Sequence, residues 1–175
     1  MYRVFLFIIL VFVSSCKNNQ EKKTENIFFD IKGFFELEAK RLKINHPLVK
    51  KIVKQNNQEE TKNSVDVDWN IEFALFVDSD INKVAWKDSY KVYSDRFRML
   101  LLAIDSTRRT KSIEIRKNLN GKPIYFRIKN NTKSELYESS EDLVYIPDSV
   151  YVIKKNQTIR FLGNNSYEIR GKFLK

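Results

Sequence analysis

Length, composition and charge already exclude several classes of protein. The chain has 175 residues and a formal net charge of +10, from 32 Lys and Arg against 22 Asp and Glu. A charged fraction of 31% excludes a polytopic membrane protein, while 42% hydrophobic and 13% aromatic residues exclude a disordered chain. The single Cys excludes a disulfide framework and a Cys-based zinc site, and the single His argues against a His-dependent catalytic triad.

The N-terminus has the pattern of a secretory signal. Arg3 gives it a positive start, and residues 4–13 form an unbroken apolar run. This run is too short to span a bilayer, which takes about 20 residues, and is typical of the hydrophobic region of a signal peptide. Two serines and the chain's single cysteine, Cys16, follow the run. Residues 1–15 are therefore predicted to be a signal peptide.

The motif Val13-Ser14-Ser15-Cys16 resembles the lipobox of bacterial lipoproteins, in which an apolar residue and two small residues precede a cysteine. The resemblance implies cleavage before Cys16 and attachment of acyl chains, palmitate among them, at this residue. Several acyl chains anchor a protein stably in a membrane, which a single chain does not. Lys17 stands where an Asp would mark retention in the inner membrane, so we expect an outer-membrane anchor with the domain facing the periplasm. Exposure on the cell surface is the alternative.

A polar segment separates the lipidated cysteine from the rest of the chain. Residues 17–26 contain no apolar side chain, so residues 16–26 are interpreted as an anchor and tether. Ten residues reach at most about 35 Å when fully extended. Residues 27–175 are predicted to form one globular domain, which we expect to be monomeric.

Two helices are predicted in the first half of this domain. Residues 27–44 have helical periodicity, which should end before Pro47 because the residue preceding a proline avoids the α region. Residues 68–77 have the same periodicity, with Asp66 or Asp68 as the N-terminal cap. The apolar stripe of the first helix comprises Phe28, Ile31, Phe35, Ala39 and Leu42.

Two shorter segments are less clearly patterned. Residues 48–67 are interpreted as two strands joined by a turn at residues 56–57, and a short helix beginning at Pro47 is the alternative. Residues 82–89 are expected to add one helical turn, which carries Trp86.

The second half of the domain has the period of two that is typical of strands. Its connections are short and rich in Asn and Gly, so neighbouring strands should be antiparallel. The fold class is thus predicted to be α+β, with N-terminal amphipathic helices packed on a C-terminal antiparallel meander of about seven strands, which could curve into a half-barrel. The predicted strands are residues 98–104, 112–117, 123–129, 135–138, 150–154, 158–162 and 167–173.

Positive charge is concentrated in the predicted sheet. One interpretation is a basic sheet face that contacts anionic lipid or an envelope protein. The alternative is a solvated face that keeps sheet edges from aggregating. Nucleic acid is excluded as a partner by the expected location rather than by the charge. The basic residues at outward positions are Arg116, Arg127, Lys129, Arg160, Arg170 and Lys172.

Aromatic residues crowd the predicted helices. Phe28, Phe35, Phe73 and Trp86 could line an apolar pocket between helices and sheet, or they could form a solid core. Helices over a curved antiparallel sheet are similar in architecture to the half-barrel of periplasmic lipoprotein carriers and outer-membrane lipoprotein receptors. That similarity is one of architecture and location and does not extend to motifs, so it implies a fold and not a function.

No motif in the sequence points to catalysis, a cofactor or a metal. Asp78-Ser79-Asp80-Ile81-Asn82 begins like a calcium loop, but Lys83 and Ser89 stand where that loop needs Gly and Glu. Residues 68–90, with Asp68-Trp69 at their start, are similar to uncharacterised lipoproteins of Bacteroidota. We therefore expect a non-enzymatic envelope lipoprotein that binds a partner or surface, and a carrier of lipid or another apolar ligand is the alternative.

Overall fold

The computed structural model describes residues 27–56, 58–64 and 67–174. These ranges contain two α-helices, α1 (Ile31–Asn45) and α2 (Trp69–Val77), one 3₁₀ helix (Val84–Ser89) and nine strands. The predicted signal peptide, the lipobox Val13-Ser14-Ser15-Cys16 and the tether lie outside the described residues. The strands are β1 (Val49–Gln55), β2 (Gln58–Ser64), β3 (Tyr90–Ser94), β4 (Arg98–Ala103), β5 (Thr110–Lys117), β6 (Pro123–Lys133), β7 (Tyr137–Ile146), β8 (Val150–Ile159) and β9 (Gly163–Phe173).

Helix α1 begins and ends at residues that satisfy its free backbone groups. The Asp30 carboxylate accepts a hydrogen bond from the Gly33 N–H at 2.8 Å. At the other end, the His46 N–H donates to the Leu42 carbonyl at 3.0 Å, and His46 takes the left-handed conformation. The predicted end before the proline is confirmed, but the helix begins at Ile31, because Asp30 caps it there.

Helix α2 has the predicted cap. The Asp68 carboxylate accepts hydrogen bonds from the N–H groups of Asn70 and Ile71, at 3.0 and 3.3 Å. This contact satisfies backbone donors that the first helical turn leaves free. The helix begins at the next residue, and its buried apolar residues are Trp69, Phe73 and Phe76.

The nine strands form one open antiparallel sheet in the order β2-β1-β9-β8-β7-β6-β5-β4-β3. Strands β3 to β9 form a meander, because each link between them is short. The hairpin β1–β2 lies between the two α-helices in the chain and joins the sheet at β9, where Val49 is opposite Phe173. The α+β class is confirmed, but the finer prediction of N-terminal helices on about seven strands is wrong.

Several strand bounds also differ from the prediction. Strand β8 is one continuous strand, where the sequence predicted two strands at residues 150–154 and 158–162. It continues through Asn156, which is opposite Ser140 on one side and Ser166 on the other. Asn is common in turns and depleted in strands, but pairing with strands on both sides overrides that weak preference here. Strand β7 is longer than predicted, and β3 is an additional strand. The hairpin β1–β2 and the 3₁₀ helix that carries Trp86 confirm the preferred local interpretations.

An aromatic cluster fills the space between the helices and the sheet face beneath them, here called the inner face. The ring centroid of Phe35 lies 5.2 Å from that of Phe73 and 4.5 Å from that of Phe76. On the sheet side it lies 5.3 Å from Phe126 and 5.5 Å from Tyr145. All five side chains are fully buried. Burial of a large apolar side chain contributes about 1.5–3 kcal/mol to the stability of the fold, so this cluster stabilises the packing of both α-helices on the sheet.

Candidate functional site

The sheet face opposite the helices, here called the outer face, carries most of the basic residues that the sequence points to. Strand alternation explains this placement, since Arg127 lies between Phe126 and Ile128, which are both fully buried on the inner face. Arg160 lies apart from the others, in the turn after β8, with its guanidinium carbon 5.3 Å from the ring centroid of Phe161. The basic residues on the outer face are Arg116, Arg127, Lys129, Arg170 and Lys172.

The best-formed contact on the outer face is the ion pair of Arg127 with Asp142. The Arg127 guanidinium donates from Nε to Oδ1 at 3.0 Å and from Nη2 to Oδ2 at 2.7 Å. This hydrogen bonding lowers the pKa of Asp142 and raises the pKa of Arg127. The bidentate pair offsets the charge of Arg127, while the guanidinium N–H groups that Asp142 does not use remain as donors.

The other two arginines of this group are also paired. Arg116 and Arg98, on neighbouring strands, both contact the Glu114 carboxylate at 3.0 Å. Arg170 contacts Glu168, on its own strand, at 3.1 Å. Three of the four arginines predicted to contact an anionic surface, Arg116, Arg127 and Arg170, are therefore bound to carboxylates of the same face.

Charge alternates along a row that crosses six strands of the outer face. Its members are directly opposite one another on consecutive strands, from β6 to β2. Opposite charges at such positions stabilise a sheet by about 0.2–1 kcal/mol per pair. Three basic and three acidic residues alternate along the row, although the Asp142 carboxylate is bound by Arg127 and not by Lys129. The strand register that creates the row cannot be obtained from single-strand patterns. It comprises Lys129, Asp142, Lys154, Glu168, Lys54 and Glu59.

A polar depression of about 410 Å³ lies beside this row. Its floor is a row of short side chains, Asn131, Ser140 and Asn156, which are opposite one another on β6, β7 and β8. Lys111 stands at its wall and donates to the carbonyls of Ser106 and Arg108 at 2.7 and 2.6 Å, which leaves its charge uncompensated. The lining also includes the carboxylates of Glu141 and Asp142, which are paired with Arg109 and Arg127. The remaining amide, hydroxyl and ammonium groups can bind an oxyanion or a polar chain. Sequence reasoning missed the depression, although Lys-x-Asn occurs at residues 129–131 and again at 154–156.

The inner face holds a buried ionic cluster that sequence reasoning also missed. Glu141 is almost completely buried and accepts hydrogen bonds from Arg109 at 2.6 Å and from Asn130 at 3.0 Å. Lys155 lies 3.4 Å from the same carboxylate. Arg109 also donates to the Asp78 carbonyl at the end of α2, at 3.0 Å. These bonds tie α2 to the sheet, so we interpret the cluster as structural.

Two further carboxylates join the helices to the sheet. Glu72 in α2 pairs with Lys51 in β1. Glu38 in α1 accepts a hydrogen bond from the Tyr145 hydroxyl. Burial, together with this contact, raises the pKa of Tyr145.

Of the four aromatic residues that the sequence offered as a pocket lining, two are buried in the core and two are partly buried and pack against it. Phe35 and Phe73 are in contact within the core, whereas the Phe28 ring lies against Tyr90, with centroids 5.8 Å apart. Trp86 is only half-buried, and the ammonium nitrogen of Lys83 lies 4.2 Å from its ring centroid.

A narrow groove runs between α1 and α2 on their outward side. About 230 Å³ of it is lined by five apolar residues, Phe35, Ala39, Phe73, Ala74 and Val77, and by three polar or charged ones, Glu36, Asn70 and Asp78. It adjoins a larger, more polar depression of about 580 Å³ at the start of α2. The lining of that depression includes Lys40, Lys43, His46, Asp68 and Asn70.

Comparison with known proteins does not assign the chain to a family. No family model, no curated protein and no solved structure matches the chain. Within the described residues, no group of three or more His, Cys, Asp or Glu side chains could hold a metal ion, and no helix is long and apolar enough to cross a membrane.

Proposed function

We propose that this chain is a lipid-anchored protein of the cell envelope, whose domain binds a partner or a surface and does not act as an enzyme. The anchor would be the acylated Cys16, held in the outer membrane, with the domain facing the periplasm. Binding would use the exterior of the domain.

The packing of the aromatic core distinguishes a domain that binds partners on its exterior from one that holds a ligand inside. Phe35, Phe73, Phe76, Phe126 and Tyr145 fill the space between helices and sheet and are each fully buried. A half-barrel carrier would need an open cavity of several hundred Å³ at this place. Recognition by the outside of the domain therefore fits the described residues better.

The outer-face depression is one place where such recognition could occur. Lys129 forms no ion pair within the described part of the chain, and Lys111 is bonded only to neutral carbonyls. Together with the row of Asn and Ser side chains, these lysines would favour a partner that carries phosphate or carboxylate groups.

Acylation is tested by growing cells with labelled palmitate. The full chain should incorporate the label, and Cys16→Ser should lose it completely, because no other cysteine is present. Ser14→Ala is the matched control, since it keeps both a small residue and the cysteine. Label that persists on the Cys16→Ser variant would contradict the proposed anchor.

A carrier of an apolar ligand is the second candidate, and the groove between α1 and α2 favours it. Mass spectrometry of an organic extract from the purified chain beginning at Lys17 tests this candidate. A stoichiometric lipid that disappears with Ala74→Phe, which fills the groove, would favour the carrier. An empty extract would favour surface binding.

A further inference from the structure

The edge of the sheet at β3 differs from the opposite edge at β2 in both polarity and charge. Strand β2 has the sequence QEETKNS and contains no apolar residue. Polar and charged side chains of this kind protect an edge from unwanted contacts. Exposed apolar side chains at the β3 edge, which are 46–70% exposed, are Val84, Val92, Tyr93, Phe97 and Ile104. These five residues are here called the β3 edge surface.

The outer face beside β3 extends this apolar area. Tyr93 is directly opposite Leu100 on β4. Leu100 and Leu102, which share a face with Ile104, are only half-buried although no helix covers them. The outer face therefore carries apolar side chains at β3 and β4, beside the basic residues Lys91 and Arg98, and is charged from β6 to β2. Val92 is opposite the buried Leu101 and Tyr93 is opposite Leu100, so exposed apolar side chains flank the β3 edge on both faces of the sheet. Exposed apolar side chains grouped in this way are typical of an interaction site.

Basic residues surround the β3 edge surface. Residues 83–108 contain six Lys and Arg and three Asp. Asp95 is engaged by the N–H groups of Phe97 and Arg98, and Asp105 is engaged by Arg108. Lys91 and Arg96 form no ion pair within the described residues, so their charge is available to a partner.

Trp86 lies next to this surface. The Lys83 ammonium and the Arg108 guanidinium lie 4.2 and 5.3 Å from its ring centroid. A half-buried tryptophan among basic side chains is well suited to the boundary between lipid headgroups and acyl chains, because its ring is apolar and its N–H is polar.

Phe28, shortly before α1, also lies at this edge. The Phe28 N–H donates to the Asn82 side chain at 2.8 Å, and the Phe28 ring lies against Tyr90, the first residue of β3. The ten residues of the tether reach at most about 35 Å from Cys16 to this point. A membrane that holds Cys16 would consequently be within reach of this part of the domain.

We propose that the β3 edge surface lies on the bilayer that holds the anchor and contacts anionic phospholipid headgroups there. The inference rests on the proposed anchoring at Cys16. Tyr93, Phe97, Ile104 and Trp86 insert at headgroup level, and Lys91 and Arg96 contact phosphate groups. The contact orients the domain, so the outer-face depression and the groove between the helices stay accessible to other partners.

The test uses the chain from Lys17 onward, which lacks the acylated cysteine and keeps every helix and strand of the described residues. Its co-sedimentation with vesicles of phosphatidylglycerol and phosphatidylethanolamine is compared with that on phosphatidylcholine vesicles. We expect binding to the anionic vesicles that weakens with added salt. Equal binding to both kinds of vesicle, or to neither, would overturn the proposal.

Reversing the charge of Lys91 and Arg96 tests whether the β3 edge surface is the part of the domain that contacts the vesicles. Each basic side chain near an anionic membrane strengthens binding about fivefold, so Lys91→Glu with Arg96→Glu should weaken it at least about 25-fold. The matched control is Lys133→Glu with Lys172→Glu, which makes the same change of charge away from β3 at lysines without ion pairs in the described chain. An equal loss in the control would show that binding follows net charge and not this surface.

Tryptophan fluorescence reports insertion directly. Brominated phosphatidylglycerol should quench Trp86, and Trp86→Phe should remove the quenching because the remaining Trp69 is buried. If brominated lipid does not quench Trp86, the proposed insertion of Trp86 at headgroup level is wrong.

Dimerisation is the alternative use of this edge. If the chain binds no vesicles and sediments as a dimer that Lys91→Glu dissociates, then the edge pairs with a second copy and the membrane proposal is wrong. The two proposals can fail separately. If Cys16 incorporates no labelled palmitate but the chain still binds anionic vesicles, the proposed anchor is wrong and the membrane contact of the β3 edge surface is supported.

Discussion

Trp69, the first residue of α2, stacks on Phe173, the last residue of β9, with ring centroids 5.5 Å apart and ring planes 5° apart. The stack joins the start of a helix to the strand at which the β1–β2 hairpin enters the sheet. Both rings are almost completely buried. The contact therefore links the start of α2 to the last strand, which is far from it in sequence.

Phe173→Ala should accordingly destabilise the domain. Loss of a buried aromatic ring costs about 3–5 kcal/mol, and the residue's place at the end of a strand favours the lower value. Urea denaturation of the chain from Lys17 onward measures the change in the free energy of unfolding. Phe161→Ala is the control, since that ring is 89% exposed, and it should change the free energy by less than about 0.5 kcal/mol. Similar losses in the two variants would argue against the Trp69 stack.

Gly171 is required by its neighbour on β8. A Cβ atom at this position would lie 2.0 Å from Cε1 of Tyr151, which is directly opposite it. Gly171→Ala should therefore cost about 2–3 kcal/mol, because the buried Tyr151 ring has no room to move. In a Tyr151→Ala background the same change should cost much less, and a double-mutant cycle measures this coupling. Additive effects would show that the glycine is needed for another reason.

The buried ion pair of Glu141 and Arg109 is predicted to stabilise the domain. Glu141→Leu leaves Arg109 without its carboxylate and should cost about 3 kcal/mol or more in free energy of unfolding. The double variant with Arg109→Met should cost less than the sum of the two single changes. Glu36→Ala is the control, since its ion pair with Lys32 is exposed and 3.8 Å long, and it should cost at most about 0.5 kcal/mol. Equal effects of the buried and exposed changes would refute the structural interpretation of the cluster.

Local patterns predicted the local structure well. The buried residues of α1 are Ile31, Phe35, Ala39 and Leu42, which all belong to the stripe with helical spacing. Asp68 caps α2 as its position before an apolar run indicates. These features depend on residues a few positions apart, so the sequence carries enough information to find them.

Long-range pairing could not be predicted in the same way. The addition of β1–β2 to β9 depends on contacts such as Val49 with Phe173, and no periodicity within either segment specifies that partner. The row of alternating charge on the outer face depends on the register of six strands at once. Arg116, Arg127 and Arg170 were therefore placed on the correct face, while the carboxylates that pair with them were not recognised.

Buried tyrosines predict loss of stability in alkali. Burial raises the pKa of Tyr90 to about 12 and also raises the pKa of Tyr145 and Tyr151, with Glu38 and Glu72 adding to the last two effects. Below about pH 10 these hydroxyls are protonated in both the folded and the unfolded chain, so stability is unaffected. Above about pH 10 the unfolded chain loses protons that the folded chain keeps, and the free energy of unfolding falls by about 1.4 kcal/mol per pH unit for each group.

Urea denaturation at pH 8, 10 and 11 measures this slope. Tyr145→Phe removes one of the three hydroxyls, so its free energy of unfolding should fall less steeply with pH than that of the unaltered chain. At pH 8 the variant should itself be less stable by about 1 kcal/mol, because Glu38 loses the hydrogen bond from Tyr145. A variant with the same slope as the unaltered chain would mean that the Tyr145 hydroxyl ionises as readily in the folded state as in the unfolded one.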